Sequence, residues 1–136
     1  MEAAGGALKE MEDTGKTSRI LIVDDDAEFL SVTKEYLELL GYDVTGTPSP
    51  SAALEAASQG KFDLIIADYK MPELSGLNLL KEIRENGVNT PFLLVSGLVD
   101  TITEETVTTR GGSGFLLKPF KLGELEEAVT RALRAR

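Results

Sequence analysis

Short apolar runs, each closed by a polar or charged residue, set the rhythm of this chain. Ile20-Leu21-Ile22-Val23 stops at Asp24-Asp25-Asp26, Phe62 to Ala67 at Asp68, Pro91 to Val95 at Ser96-Gly97, and Gly114 to Leu117 at Lys118-Pro119. Continuous apolar runs of this length, without alternation, predict strands buried on both faces. A weaker strand is predicted over Tyr42 to Thr47. The stretches between them carry helical spacing. Asp26 can cap a helix marked by Leu30, Thr33, Leu37 and Leu40, which Gly41 stops in a left-handed turn. Pro48-Ser49-Pro50 opens a second helix over Ala52 to Ser58, closed at Gly60. A loop from Met71 to Gly76 leads into a third, with Leu77, Leu80 and Ile83, and Leu122, Leu125, Val129 and Leu133 mark a last amphipathic helix. Asp100 to Arg110 is predicted as a poor helix, because five of its eleven residues are threonine. Five strand–helix units in alternation imply a mainly parallel sheet with helices on both faces.

Composition narrows the chemistry. The 136 residues suit one domain, and no apolar run approaches the ~18 residues of a membrane span, so no membrane insertion is expected. Residues 1–18 hold four acids and two lysines with no apolar period, and are expected to form a flexible tail ahead of a domain at 19–136. Gly15-Lys16-Thr17 does not make a phosphate-binding loop, since Glu10 stands where that motif needs its first glycine. Cysteine is absent, which fits a cytoplasmic chain, and no secretory leader is visible. Histidine is absent too, removing the commonest zinc ligand and every Ser-His pair. A net charge of −9 repels phosphate backbones, so no nucleic acid is expected to bind through this chain.

Asp24, Asp25, Asp68, Ser96 and Lys118 all fall at or just past strand C-termini, the edge where open α/β sheets bind ligands. Packed carboxylates repel one another unless a cation lies among them. Hard oxygen ligands without His or Cys select Mg²⁺, Mn²⁺ or Ca²⁺, and few protein ligands suit Mg²⁺ best. Lys118 and the Ser96 hydroxyl would then meet an anion, a phosphoryl group being the natural one beside Mg²⁺, which leaves one aspartate to attack it.

In order and spacing, Ile20 to Asp26, Asp68-Tyr69-Lys70-Met71-Pro72-Glu73-Leu74-Ser75-Gly76, Leu94 to Gly97 and Phe115-Leu116-Leu117-Lys118-Pro119-Phe120 resemble the receiver domain of two-component response regulators. The resemblance covers about residues 19–135. It implies a flavodoxin-like (βα)₅ three-layer sandwich, with a parallel sheet of order 2-1-3-4-5. It also implies an aspartate that takes a phosphoryl group from a phosphohistidine on a sensor histidine kinase or histidine phosphotransfer protein. Asp68 then corresponds to the phosphoacceptor. Asp25, Asp68 and the Lys70 carbonyl correspond to Mg²⁺ ligands, with Asp24 acting through water. Ser96 corresponds to the switch hydroxyl, Phe115 to the switch aromatic, and Lys118 to the lysine that contacts the phosphoryl group, with a cis bond usual before Pro119.

Two features depart from that pattern: Gly97 stands where alanine is more usual, and segment 101–110 lacks the usual alanine-rich character. Lys70 and Leu98 are expected to flank the path of an attacking water and to slow loss of the phosphoryl group. An aspartyl-phosphate phosphatase of the haloacid-dehalogenase type is the enzyme alternative; it wants an acid two residues after the nucleophile, where Lys70 stands. A receiver-like binding module without phosphorylation would lack one of the five key residues, and all five are present. The downstream target is expected to be a protein, reached either by a stand-alone regulator or by a chain that continues beyond Arg136 into an output domain.

Overall fold

In the computed structural model, which describes residues 17–97 and 100–134, strands and helices alternate through five units. The strands are β1 (Arg19–Val23), β2 (Asp43–Thr47), β3 (Leu64–Asp68), β4 (Phe92–Gly97) and β5 (Gly114–Lys118). The helices are α1 (Ala27–Leu39), α2 (Pro50–Gln59), α3 (Gly76–Glu85), α4 (Glu104–Thr109) and α5 (Leu122–Arg134). All strand pairs are parallel, in the order β2-β1-β3-β4-β5. The expected flavodoxin-like architecture is therefore the observed one. No helix among the described residues is long and apolar enough to cross a membrane.

The strand pleat sorts the core into two layers. Leu21, Val23, Ile65, Ala67, Phe92 and Leu94 face α2, α3 and α4, where they meet Ala53, Leu80, Ile83 and Val107. Ile20, Ile22, Leu64, Ile66, Leu93 and Val95 face α1 and α5, against Leu37, Leu125, Val129 and Leu133. Both faces of the central strands are thus apolar, which explains why their sequences run without alternation.

Local chemistry sets the helix ends. Asp26 caps α1 by accepting from the Glu28 and Phe29 amides, and Gly41 follows its end with φ +102°. Ser49 caps α2, with Pro50 as first residue, so this helix is longer than expected at both ends.

Three expectations need correction. β3 begins at Leu64, not Phe62: the Phe62 ring lies half-buried under the Arg19 guanidinium, 4.9 Å from it, outside the ladder. Leu122 is not part of the buried stripe of α5 but 43% exposed, because a side chain in the first helical turn leans back past the helix end; the stripe is Leu125, Val129, Ala132 and Leu133. α4 keeps only Glu104–Thr109 of the expected Asp100–Arg110, with Thr103 spent as its cap on the Thr106 amide. The expected tail lies, except for Thr17 and Ser18, outside the described residues, as does Leu98.

Candidate functional site

The C-terminal ends of β1, β3, β4 and β5 bring the acids, the hydroxyl and the lysine to one edge. Asp24 follows β1 and is 1% exposed; Asp68 ends β3 and is 9% exposed. Asp25 is exposed beside them, and one carboxylate oxygen from each of the three lies within 4.8 Å of the others. Such a set of hard oxygen donors can hold a metal ion. Lys118, the last residue of β5, reaches in from the far side. Its Nζ lies 3.3 Å from Asp24 Oδ2 and 3.2 Å from Asp68 Oδ1. The other Asp24 oxygen accepts from the Asp26 amide at 2.9 Å, so both of its oxygens are engaged.

Burial pushes the carboxyls of Asp24 and Asp68 above the ordinary range. The Asp68 charge adds to the effect on Asp24, and those of Asp25 and Asp100 to the effect on Asp68, so Lys118 only partly offsets the cost. Burial also works against the Lys118 ammonium, yet Asp24 and Asp68 together outweigh it and raise its pKa. The pocket therefore holds more negative charge than one ammonium balances, which is the condition a bound cation relieves.

Gly76 explains why the loop after β3 ends in glycine. A Cβ there would overlap the Asp68 carbonyl oxygen and come within 2.7 Å of Leu94. Its amide donates to the Tyr69 carbonyl at 2.8 Å, closing the loop tightly behind Asp68. Ser75 caps the helix that follows by accepting from the Asn78 amide.

Ser96 is 1% exposed near the end of β4. Register pairs Leu94 with Phe115, and the pleat puts Ser96 and Phe115 on the same sheet face. Phe115 is half-buried against the α2–α4 layer. Lys70 is exposed. The hydrogen bond from the Gly97 amide chiefly, then that from Ser96 and the charges of Lys70 and Lys118, hold the Asp100 carboxyl below its usual range. The Lys118–Pro119 bond is cis. At Gly97 a Cβ would meet Asp100 at an ordinary 3.5 Å, so space does not demand the glycine.

Two residues of the site escaped the sequence reading. Phe29 packs its ring 4.1 Å from Lys118 Nζ and stands edge-on to Phe120 at 5.8 Å, lending the ammonium a π face. Its spacing of four from buried Thr33 was the available signal. Asp100 accepts from both Ser96 Oγ and the Gly97 amide, each at 2.9 Å. Nothing in its Thr-rich surroundings marks it.

Comparison with known proteins points one way. The family model described as the response regulator receiver domain matches residues 20–130. The transcriptional regulatory protein CrdR of Helicobacter pylori is 34% identical over 114 residues, covering 83% of this chain and 54% of CrdR. This chain thus spans about half the length of that curated relative. The crystal structure of a response regulator receiver domain protein from Clostridium thermocellum superposes with TM-score 0.80 at 28% identity, over 87% of this chain and 95% of that one. A CheY-like receiver domain protein from Methanospirillum hungatei gives TM-score 0.81 at 28% identity, over 88% and 96%.

Proposed function

Since this chain belongs to the response regulator receiver family, we propose that it accepts a phosphoryl group on Asp68, with Mg²⁺, from a histidine kinase or a histidine phosphotransfer protein. The observation that carries this reading is a cluster of three carboxylates, two of which one lysine bridges: Lys118 contacts both Asp24 and Asp68. Asp25, Asp68 and the Lys70 carbonyl are the residues proposed to hold the metal, with Asp24 acting through water, since Asp26 and Lys118 already engage its two oxygens. When bound, Mg²⁺ supplies positive charge for the carboxylates and for the phosphoryl oxygens.

An Asp68 carboxylate oxygen attacks phosphorus. The new O–P bond forms as the P–N bond to the donor imidazole breaks, and the electron pair leaves with that nitrogen. Lys118 stays beside the acceptor and pairs with a phosphoryl oxygen, while Ser96 offers its single hydroxyl proton to another. Phe115, on the same face as Ser96, fills the space the hydroxyl leaves, which carries the change to the surface of α4, β5 and α5. The chain acts in this reading as a switch, catalysing only its own phosphorylation and dephosphorylation. Its signal passes to a protein target. Lys70 in place of a second acid argues against a phosphatase acting on outside substrates.

Intact-mass spectrometry after incubation with acetyl phosphate and Mg²⁺ tests the assignment. One phosphoryl group is expected on the parent and none on Asp68→Ala. Undiminished labelling of that variant would show that another residue is the acceptor.

A further inference from the structure

Ser96 and Gly97 present two donors at the end of β4, and one carboxylate oxygen takes both. Asp100 Oδ2 accepts from Ser96 Oγ at 2.9 Å and from the Gly97 amide at 2.9 Å, while the Asp100 amide returns a bond to the Gly97 carbonyl at 3.1 Å. Ser96 is 1% exposed, so water does not compete for its proton. Asp100 is also near enough to the acidic cleft for its charge to act on Asp68, and for those of Lys70 and Lys118 to act on it.

A hydroxyl has one proton and an amide has one. A phosphoryl group on Asp68 that draws on the Ser96 hydroxyl, and on the Gly97 amide beside it, therefore meets donors that are already committed. From this geometry we infer that Asp100 is an internal competitor of the phosphoryl group, a carboxylate latch that holds Ser96 and Gly97 in the unphosphorylated arrangement and sets how readily the switch turns over. The inference rests on the phosphoacceptor reading and adds a positioning residue to it. Charge drives the exchange. A phosphoryl group carries more negative charge than a carboxylate, attracts both protons more strongly, and repels Asp100 once it forms. The latch thereby lowers the population of the active arrangement without phosphate, and its release marks the transition.

The test is NMR titration of the free protein with beryllofluoride at fixed Mg²⁺, in the parent, Asp100→Ala, Asp100→Asn, Ser96→Ala and the Ser96→Ala, Asp100→Ala double variant. Losing a charge-assisted acceptor should tighten binding about tenfold in Asp100→Ala, and about threefold in Asp100→Asn, which keeps an acceptor oxygen but no charge. In the Ser96→Ala background the gain from Asp100→Ala should fall to about threefold, because only the Gly97 amide remains to be freed. Before any ligand is added, the Gly97 amide proton should move upfield in Asp100→Ala. Equal gains in both backgrounds would reduce Asp100 to a distant repelling charge and overturn the latch, as would an unmoved Gly97 resonance or no gain at all. A parent that binds no beryllofluoride would overturn the phosphoacceptor reading and the latch together, whereas a parent that binds and an Asp100→Ala that binds no better would overturn the latch alone.

Discussion

β3 and β5 end at the same edge of one sheet under opposite conditions. β3 lies between β1 and β4 with every residue from Leu64 to Asp68 buried, and α3 seals the loop behind it through Gly76. Among the described residues β5 is an edge strand, paired with β4 alone, and it is only partly buried, with Leu117 42% exposed. Its neighbour α4 has six residues where α3 has ten. The contrast suits the proposed division of labour. Reacting groups need fixed geometry and sit on the densely packed half, whereas a surface that must change needs low local stability and sits on the lightly packed half. Lys118 joins the two, standing on β5 with its ammonium on the acids of β1 and β3.

Breaking that joint should have the largest effect. Lys118→Met leaves Asp24 and Asp68 facing each other without their cation, at a cost of about 2–3 kcal/mol. The value falls below the usual range for a buried pair because the lysine is 29% exposed. Urea unfolding at pH 7 without metal measures it, and an unchanged midpoint would mean that the two contacts carry no net energy.

Disturbing the rigid half from behind comes next. Gly76→Ala forces the Asp68 backbone and Leu94 apart and should cost about 2 kcal/mol. Acetyl phosphate labelling of Asp68 should slow in parallel; a variant as stable and as fast as the parent would show that the loop yields freely.

Asp68→Asn should stabilise the metal-free chain by about 1 kcal/mol at neutral pH, because it removes a carboxylate whose charged form burial disfavours. Folded Asp24 and Asp68 bind their protons more tightly than the unfolded chain does. The metal-free parent therefore gains stability as pH falls from neutral through their raised values toward the ordinary 3.8, and loses that gain as pH rises again. Asp68→Asn should flatten this dependence. Thermal midpoints at several pH values check both the offset and the slope.

The smallest expected effect sharpens the comparison from the light side. Thr108 and Thr109 are exposed on α4, and replacing both with alanine should add less than about 1 kcal/mol of helix propensity. The parent α4 amides should exchange faster than those of α5, and the double variant should narrow the gap. Equal protection of the two helices in the parent would contradict the contrast itself.

What could be read from the sequence follows the same division. β1, β3 and β4 are legible because burial on both faces leaves no polar residue to interrupt Ile20–Val23, Leu64–Ala67 or Phe92–Val95, and their ends expose the acids and the hydroxyl by simple counting. Asp26 and Gly41 mark the ends of α1 through backbone chemistry that any chain obeys. Asp100 was invisible because its bonds to Ser96 and Gly97 depend on a turn, and turns in a Thr-rich stretch carry no period. Phe29 was missed because an aromatic beside an apolar stripe looks like ordinary core, and only the folded β5 places Lys118 on its ring.

In the proposed switch, charge gained on the densely packed half is felt on the light half. Amide chemical-shift mapping with beryllofluoride and Mg²⁺ tests it most directly. Large shifts are expected at Ser96, Gly97 and Asp100 and along Gly114–Lys118, as well as near Asp24 and Asp68. Shifts confined to the residues after β1 and β3, with β4, α4 and β5 unmoved, would contradict it.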